Sequence, residues 1–274
     1  MSPARHPAAQ RASIPHREAA ASYDRIAHLY DVDMALNMPF DDVSFYRRLA
    51  ASARGRVLEA GCGNGRVLLA LLEDGIDAWG IDVSPAMLED CERKARQRGL
   101  RVPLCRMDAC RLGFQAAFDL VLCPYSLVTY MHRPDQVASL LARVRQSLVA
   151  GGRVVVDAFV PRPAVASGRY VPDYQRALGE AVLARSKRVT ALPDGTHRIE
   201  RRYEVCTVEG EVVQRIDTSE TIAPIAPDAL RQALRCAGFD IEECWWDYGA
   251  SAAPTGERDA QFFTVSACAG ARLC

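Results

Sequence analysis

The sequence predicts an α/β protein: a doubly wound, seven-stranded, mostly parallel sheet carrying a small antiparallel β insert. Three observations predict it. Strand-like apolar runs alternate with segments of helical period over about a hundred residues from position 56 onward. The run Phe118-Asp119-Leu120-Val121-Leu122-Cys123 is almost wholly apolar, as a strand buried on both faces must be. After Pro161 the period falls to two, with hairpin signals at Pro193-Asp194-Gly195 and Glu209-Gly210.

Taken in order, residues 1–17 are rich in Ala, Pro, Arg and His without apolar periodicity and are expected to form a disordered tail. Tyr23, Ile26, Ala27 and Tyr30 then recur at helical spacing, and a second helix is expected over 41–53. Strand one (56–60) enters a glycine-rich loop, followed by a helix from 64 to 73 that stops at Asp74-Gly75. Strand two (77–81) ends on Asp82, after which Ser84-Pro85 supplies an N-cap and a first-turn proline for a helix running to Arg98-Gly99. Strand three (102–107) ends on Asp108, strand four is 118–123, a helix covers 134–149, and strand five is 153–157. Segments 182–191, 197–207 and 211–222 form the insert. A helix at 227–238 and strands at 239–246 and 260–267 close the main sheet. The expected organisation is therefore one domain made of 18–160 and 223–274, with 161–222 as a lid over the substrate site.

Composition excludes several classes. Lys+Arg and Asp+Glu number 34 each, so there is no global field to draw in nucleic acid or an anionic membrane. No apolar run approaches the roughly 18–20 residues that span a bilayer, and the first residues lack an apolar signal core, so a cytoplasmic protein is expected. The ten cysteines contain no C-x-x-C and the five histidines do not pair with them, so neither a metal centre nor a disulfide framework is expected.

The chemistry concentrates at 57–66, Val-Leu-Glu-Ala-Gly-Cys-Gly-Asn-Gly-Arg. Glycines 61, 63 and 65 let a ligand lie against the main chain, and the helix that follows offers unpaired N–H groups. A dinucleotide loop would read Gly-x-Gly-x-x-Gly; here Arg66 stands in the last place. At the end of strand two, 23 residues after Glu59, the Asp82 carboxylate can accept hydrogen bonds from both hydroxyls of a ribose.

The pattern acid-x-Gly-x-Gly-x-Gly resembles motif I of the class I S-adenosylmethionine (SAM) dependent methyltransferases, and the likeness covers about residues 22–160. It implies a Rossmann-like methyltransferase fold with SAM as cofactor and S-adenosylhomocysteine (SAH) as product. Glu59, Ala60 and Gly61 are then expected near the ammonium of the amino-acid arm, with Gly63, Asn64 and Gly65 near its carboxylate. Asp108 would accept the adenine amino hydrogen, the N–H of Ala109 or Cys110 would face the ring, and Val83, Met87 and Met107 would enclose it. Cys123 and the turn after strand four would border the reactive methyl group. Gly61 read alone is a turn, Asp82 a helix cap and Asp108 a turn acid; their order along the chain is what carries the resemblance.

The acceptor is expected to be small. Amino methyltransferases of DNA and protein resembling this fold carry Asn/Asp-Pro-Pro-Tyr/Phe after strand four, whereas Cys123-Pro124-Tyr125 stands here, and a thiol is a poor hydrogen-bond partner. The Tyr-Asp…Tyr-Asp helix and the insert are similar to those of glycine and deoxyamino-sugar N-methyltransferases and of natural-product methyltransferases. That implies an amine or hydroxyl acceptor in secondary metabolism, with the chain as a monomer or homodimer. Tyr130 and His132 are the candidates to take or relay a proton, His132 reading equally as a solvated loop residue. Tyr23 and Tyr30 read either as cleft contacts or as helix-face core. Tyr125, Ser126, Trp246 and Tyr248 are the candidate acceptor contacts. Two rival readings remain: an NAD(P)-dependent reductase on a related sheet, and a non-catalytic binding protein of the same fold.

Overall fold

A computed structural model describes residues 17–35, 37–162, 168–249 and 260–270. The tail expected at 1–17 lies, apart from Arg17, outside the described residues. The chain opens with α1 (Arg17–Ile26), a 3-10 turn, α2 (Tyr30–Met34) and α3 (Asp42–Ala51). There follow β1 (Val57–Ala60), α4 (Leu68–Glu73), β2 (Ala78–Asp82), α5 (Pro85–Gln97), β3 (Leu104–Arg106), β4 (Phe118–Cys123), α6 (Pro134–Ser147) and β5 (Leu148–Phe159). The second half contains β6 (Val171–Leu178), β7 (Ala181–Ala191), β8 (His197–Cys206), β9 (Val212–Ile222), α7 (Pro227–Cys236), β10 (Phe239–Trp246) and β11 (Phe262–Ala269).

The main sheet has seven strands in the order β10-β11-β5-β4-β1-β2-β3. Strands β1 to β5 pair in parallel, and β11 enters antiparallel to both β5 and β10. This is the expected architecture. Alternate residues of β4 face opposite layers. Leu120 and Leu122 pack with Tyr46, Leu68 and Leu69 on one side, while Val121 and Cys123 pack with Leu140, Leu141 and Leu234 on the other. All of these residues are buried, which is why that strand carries no polar alternation.

The four remaining strands form a separate antiparallel sheet in the order β6-β7-β8-β9. Three of its strands coincide with alternating segments of the sequence. The first, β6, is not legible there: it is an edge strand with Pro172 at its second position and a register shift between Pro172 and Tyr174. Helix α4 begins at Leu68 rather than 64 because Gly65 takes φ +87°, outside the helical region. Strand β5 starts at Leu148, five residues earlier than the Gly151-Gly152 signal suggested, with a register shift where it joins β4.

A third apolar cluster joins the small sheet to the N-terminal helices: Ile26 and Leu29 pack on Leu183 and Tyr203. Hydrogen bonds reinforce the contact, Ser22 Oγ donating to Ser219 O at 2.7 Å and Arg25 to Asp217 O at 2.8 Å. The helices and the small sheet therefore make one roof above the carboxyl ends of the parallel strands. In open α/β sheets that edge is where ligands bind.

Candidate active site

The glycine loop is built by its backbone. Gly61, Gly63 and Gly65 have φ of +73°, +53° and +87°, a region that costs any other residue about 1–2 kcal/mol. Gly61 N–H and Cys62 N–H both donate to Ile81 O, at 2.8 and 2.9 Å, tying the loop to the end of β2. A Cβ on Gly65 would lie 2.5 Å from Cys91 Sγ, so this glycine lets α5 approach the loop. A Cβ on Gly63 would meet nothing within 4 Å, so its open side faces free space rather than protein.

Asp82 joins the loop to α5. One carboxylate oxygen accepts Gly63 N–H at 2.9 Å and the other accepts Ser84 N–H at 2.8 Å. Burial nonetheless pushes the Asp82 carboxyl above its ordinary range, these backbone donors offsetting only part of the cost. Further hydroxyl donors from a ligand would suit it. Ser84 caps α5 by accepting Met87 N–H, and Asp24 of α1 reaches across to take the Ser84 hydroxyl at 2.6 Å and Ala86 N–H at 3.2 Å.

A cleft with a volume of about 100 Å³ runs between this floor and the roof. Gly61, Gly63 and Asp82 line one end. Val83, Met87, Met107, Ala109, Leu127 and Met131 form an apolar slot, and Tyr23, Tyr30, Tyr125 and Tyr130 line the roof side. Thus eleven of the residues anticipated for cofactor, acceptor or catalysis meet around one space: Tyr23, Tyr30, Gly61, Gly63, Asp82, Val83, Met87, Met107, Ala109, Tyr125 and Tyr130.

Others lie behind the wall. Ala60 and Cys123 belong to the core, and burial pushes the Cys123 thiol up to about 12. Gly65 packs on α5, and Asn64 is buried with its amide donating to Asp31 and Asp90. Asp108 caps the turn after β3 by accepting Cys110 N–H at 2.8 Å, while the Cys110 thiol turns to Met131 and Gln136.

The remaining anticipated residues are placed elsewhere. His132 lies beyond the cleft: its Nε2 is 2.6 Å from Thr221 O, and its ring borders a second cavity between α6 and α7. Trp246 packs against Phe263 at 4.8 Å between centroids with the rings tilted by 50°, and its neighbour Trp245 meets Phe45 on the opposite face, as adjacent strand residues must. Ser126 and Tyr248 are buried around Asp157, at the end of β5. That carboxylate accepts the hydroxyls of Tyr46 and Tyr248 and the N–H groups of Tyr125 and Ser126. Tyr125 and Ser126 have φ of +53° and +60°, so Asp157 holds the turn after β4 in a conformation it would not adopt alone. Asp157 was legible as one more acid at a strand end, though not its role.

Two buried acceptors lie beneath the loop, outside the cleft lining. Glu59 Oε2 and Asn64 Oδ1 have no hydrogen-bond partner within the protein. Burial pushes the Glu59 carboxyl up to about 8 even though Arg66 is close and favours its charge. Unsatisfied buried acceptors are costly and call for donors; the ammonium of an amino-acid arm supplies three. Arg66 itself forms a two-point pair with Asp42 at 2.6 Å in each contact and lies 5.9 Å from the Tyr125 ring centre. The residues present therefore fit SAM.

Residues 57–152 match the family described as methyltransferase domain. They form a methyltransferase domain. Aklanonic acid methyltransferase DauC of Streptomyces sp. strain C5 is 42% identical over 104 residues, which are 36% of this chain and 46% of that protein, so the match spans under half of the relative. Demethylmenaquinone methyltransferase of Thermus thermophilus is 27% identical over 86% of this chain and 99% of its own. A SAM-dependent methyltransferase structure from Clostridium acetobutylicum superposes with a TM-score of 0.74 at 19% identity, covering 91% of this chain and 99% of that one, and shares the fold. A SAM-bound structure, the amino pentose methyltransferase CalS10 from Micromonospora echinaspora, superposes with a TM-score of 0.64 at 21% identity, covering 87% of this chain and 96% of that one. Among the described residues no helix is long and apolar enough to cross a membrane, and no group of three or more His, Cys, Asp or Glu is placed to hold a metal ion.

Proposed function

We propose that this methyltransferase domain alkylates an amine or hydroxyl of a small metabolite in secondary metabolism. The observation that carries the reading is the cleft itself. A buried carboxylate at Asp82, an apolar slot and four tyrosines converge on one narrow space. The relatives named above support a small acceptor, since one is named for aklanonic acid and the other for demethylmenaquinone.

In this reading Asp82 holds the ribose hydroxyls, Met87, Met107 and Ala109 enclose the adenine, and Glu59 with the glycine loop receives the amino-acid arm. When bound, SAM supplies a methyl group already activated by a positive sulfur. The protein's work is then to orient the acceptor, exclude water and manage one proton. Tyr125 and Tyr130 wall the acceptor end. Burial pushes the Tyr130 phenol up to about 12, so it acts as a neutral hydrogen-bonding group and not as a phenolate base. The β6–β9 sheet serves as the lid.

Calorimetric titration with SAH and with NADH tests the reading. SAH should bind and NADH should not, and Asp82→Ala should weaken SAH by about 10- to 100-fold, the worth of a charged hydrogen-bond pair. An unchanged affinity removes the ribose assignment. A 14-dalton gain across a panel of amines and hydroxyl compounds, followed by mass spectrometry, identifies the acceptor.

A further inference from the structure

The roof contains a buried ion pair that holding the cofactor does not require. On β8, Ile199 and Tyr203 occupy one phase of the alternation, and Arg201 lies between them in the same phase, on the inner face. Its neighbour Arg202 points to the outer side, bonding Asp217 at 2.8 Å. Arg201 pairs with Glu220 of β9, whose side chain is 2% exposed.

Glu220 also accepts a hydrogen bond from Tyr130 Oη at 3.2 Å, and Tyr130 Oη lies 2.7 Å from Tyr23 Oη. Both rings line the cleft. A continuous chain thus runs from the cleft through two phenols to the lid: Tyr23, Tyr130, Glu220, Arg201. Its direction follows from Glu220. An ionised carboxylate only accepts, so Tyr130 must donate to it, and the Tyr130 oxygen is left to accept the Tyr23 hydroxyl. The Tyr23 oxygen then turns lone pairs toward the cleft with its own proton already committed.

We infer that Glu220, on the lid, is the terminal proton acceptor of the methyl transfer and sets the direction of the Tyr23–Tyr130 relay. The inference rests on the methyltransferase reading. As the bond between methyl and nucleophile forms, the methyl–sulfur bond breaks with its electron pair left on sulfur. The nucleophile's N–H or O–H proton passes to Tyr23 Oη, the Tyr23 proton to Tyr130 Oη, and the Tyr130 proton to Glu220 Oε2. Each phenol ends as neutral as it began, as burial requires of both. Charge also balances: the positive charge lost at sulfur is replaced by that of Arg201, which is no longer neutralised once Glu220 is protonated. The groups contacting this carboxylate are Arg201 from β8 and Tyr130 from the turn after β4, and Tyr23 of α1 reaches it through Tyr130. Arg185 and Tyr203 act on Arg201, and Tyr30 and Tyr125 on Tyr130.

The test needs no acceptor. Proton uptake on binding SAM and on binding SAH is measured by calorimetry in buffers of different ionisation enthalpy across the pH range over which the protein stays folded. The two ligands share adenine, ribose and amino-acid arm, so contributions from Glu59 and Asp82 cancel in the difference. SAH should take up more protons than SAM, by up to about one per site, and Glu220→Gln should abolish the difference while Glu18→Gln, on α1, leaves it intact. Arg201→Met, which leaves the carboxylate without its cation, should move the pH window of the difference upward by about one unit or more. This second variant decides the matter if Glu220→Gln does not fold. Equal uptake of the two ligands by the wild type, a difference that survives Glu220→Gln, or an unmoved window in Arg201→Met overturns the inference. Failure of both ligands to bind defeats the methyltransferase reading instead.

Discussion

The floor and the roof of the cleft are built by different physics. On the floor, ligand-facing surface is mostly the main chain of two left-handed glycines, Gly61 and Gly63, with the acid that ends β2, Asp82, beside them. In the roof it is side chains, and the roof is held to the rest by buried charge. Asp33 of α2 receives Arg185, Tyr174, Tyr203 and Asn37, while Arg185 also pairs with Asp173. Backbone geometry tolerates few substitutions but asks little of the surrounding sequence. A buried ionic cluster demands that every partner be present, and it is therefore the part of the site most easily opened.

The contrast can be broken at several points. The largest effect is expected at Asp33→Ala, which leaves Arg185 buried beside the remaining partners. A loss of about 3–5 kcal/mol in denaturant unfolding is expected, together with release of the α1–α2 helices detected as faster hydrogen exchange. Next is Gly65→Ala, expected to cost about 2–4 kcal/mol because a Cβ there sits 2.5 Å from Cys91 Sγ at φ +87°. Gly63→Ala is its control: with open space around it, only the roughly 1 kcal/mol backbone cost should appear in stability, and the damage should fall on SAH affinity.

Glu59 gives a pH test of the floor. Its carboxyl is raised to about 8 by burial, so in the ligand-free protein its contribution to stability is fully present below about 4.5 and is lost as pH rises through 8. SAH presents an ammonium and prefers the ionised carboxylate, so affinity should climb by up to about tenfold per pH unit below 8 and then level off. Glu59→Gln should flatten both trends. The smallest effect is expected at His132→Ala: about 1 kcal/mol of stability from the lost contact with Thr221 O, and no change in SAH affinity, since the ring lies outside the cleft. A His132 variant with weakened SAH binding would join the second cavity to the first.

Much of the floor was legible because its signals are local. Glycine at positive φ, Ser84-Pro85 at a helix start and an acid closing each parallel strand are properties of a few consecutive residues. The Tyr-Asp pairs were legible as a helix face, but not that the aspartates fasten that helix to the floor, Asp24 on the N-terminus of α5 and Asp31 on Asn64 and Lys94. Arg201 had a readable signal, a cation in the apolar phase of β8, which the adjacent Arg202 obscured. Trp246 and Tyr248 illustrate the converse: aromatic residues near a site in the chain that packing claims for the core.

By itself, then, the sequence determined the parallel sheet, the backbone-built loop and the acid at the end of β2, because each follows from periodicity or from φ/ψ restrictions acting over a few residues. Only the tertiary structure decided which side chains close the cleft. Glu220 reaches Tyr130 across 90 residues of chain, and Tyr23 reaches it across 107. Contacts at such separations are fixed by how the small sheet and the N-terminal helices bury Leu183, Tyr203 and Ile26 against one another, and no local pattern encodes that.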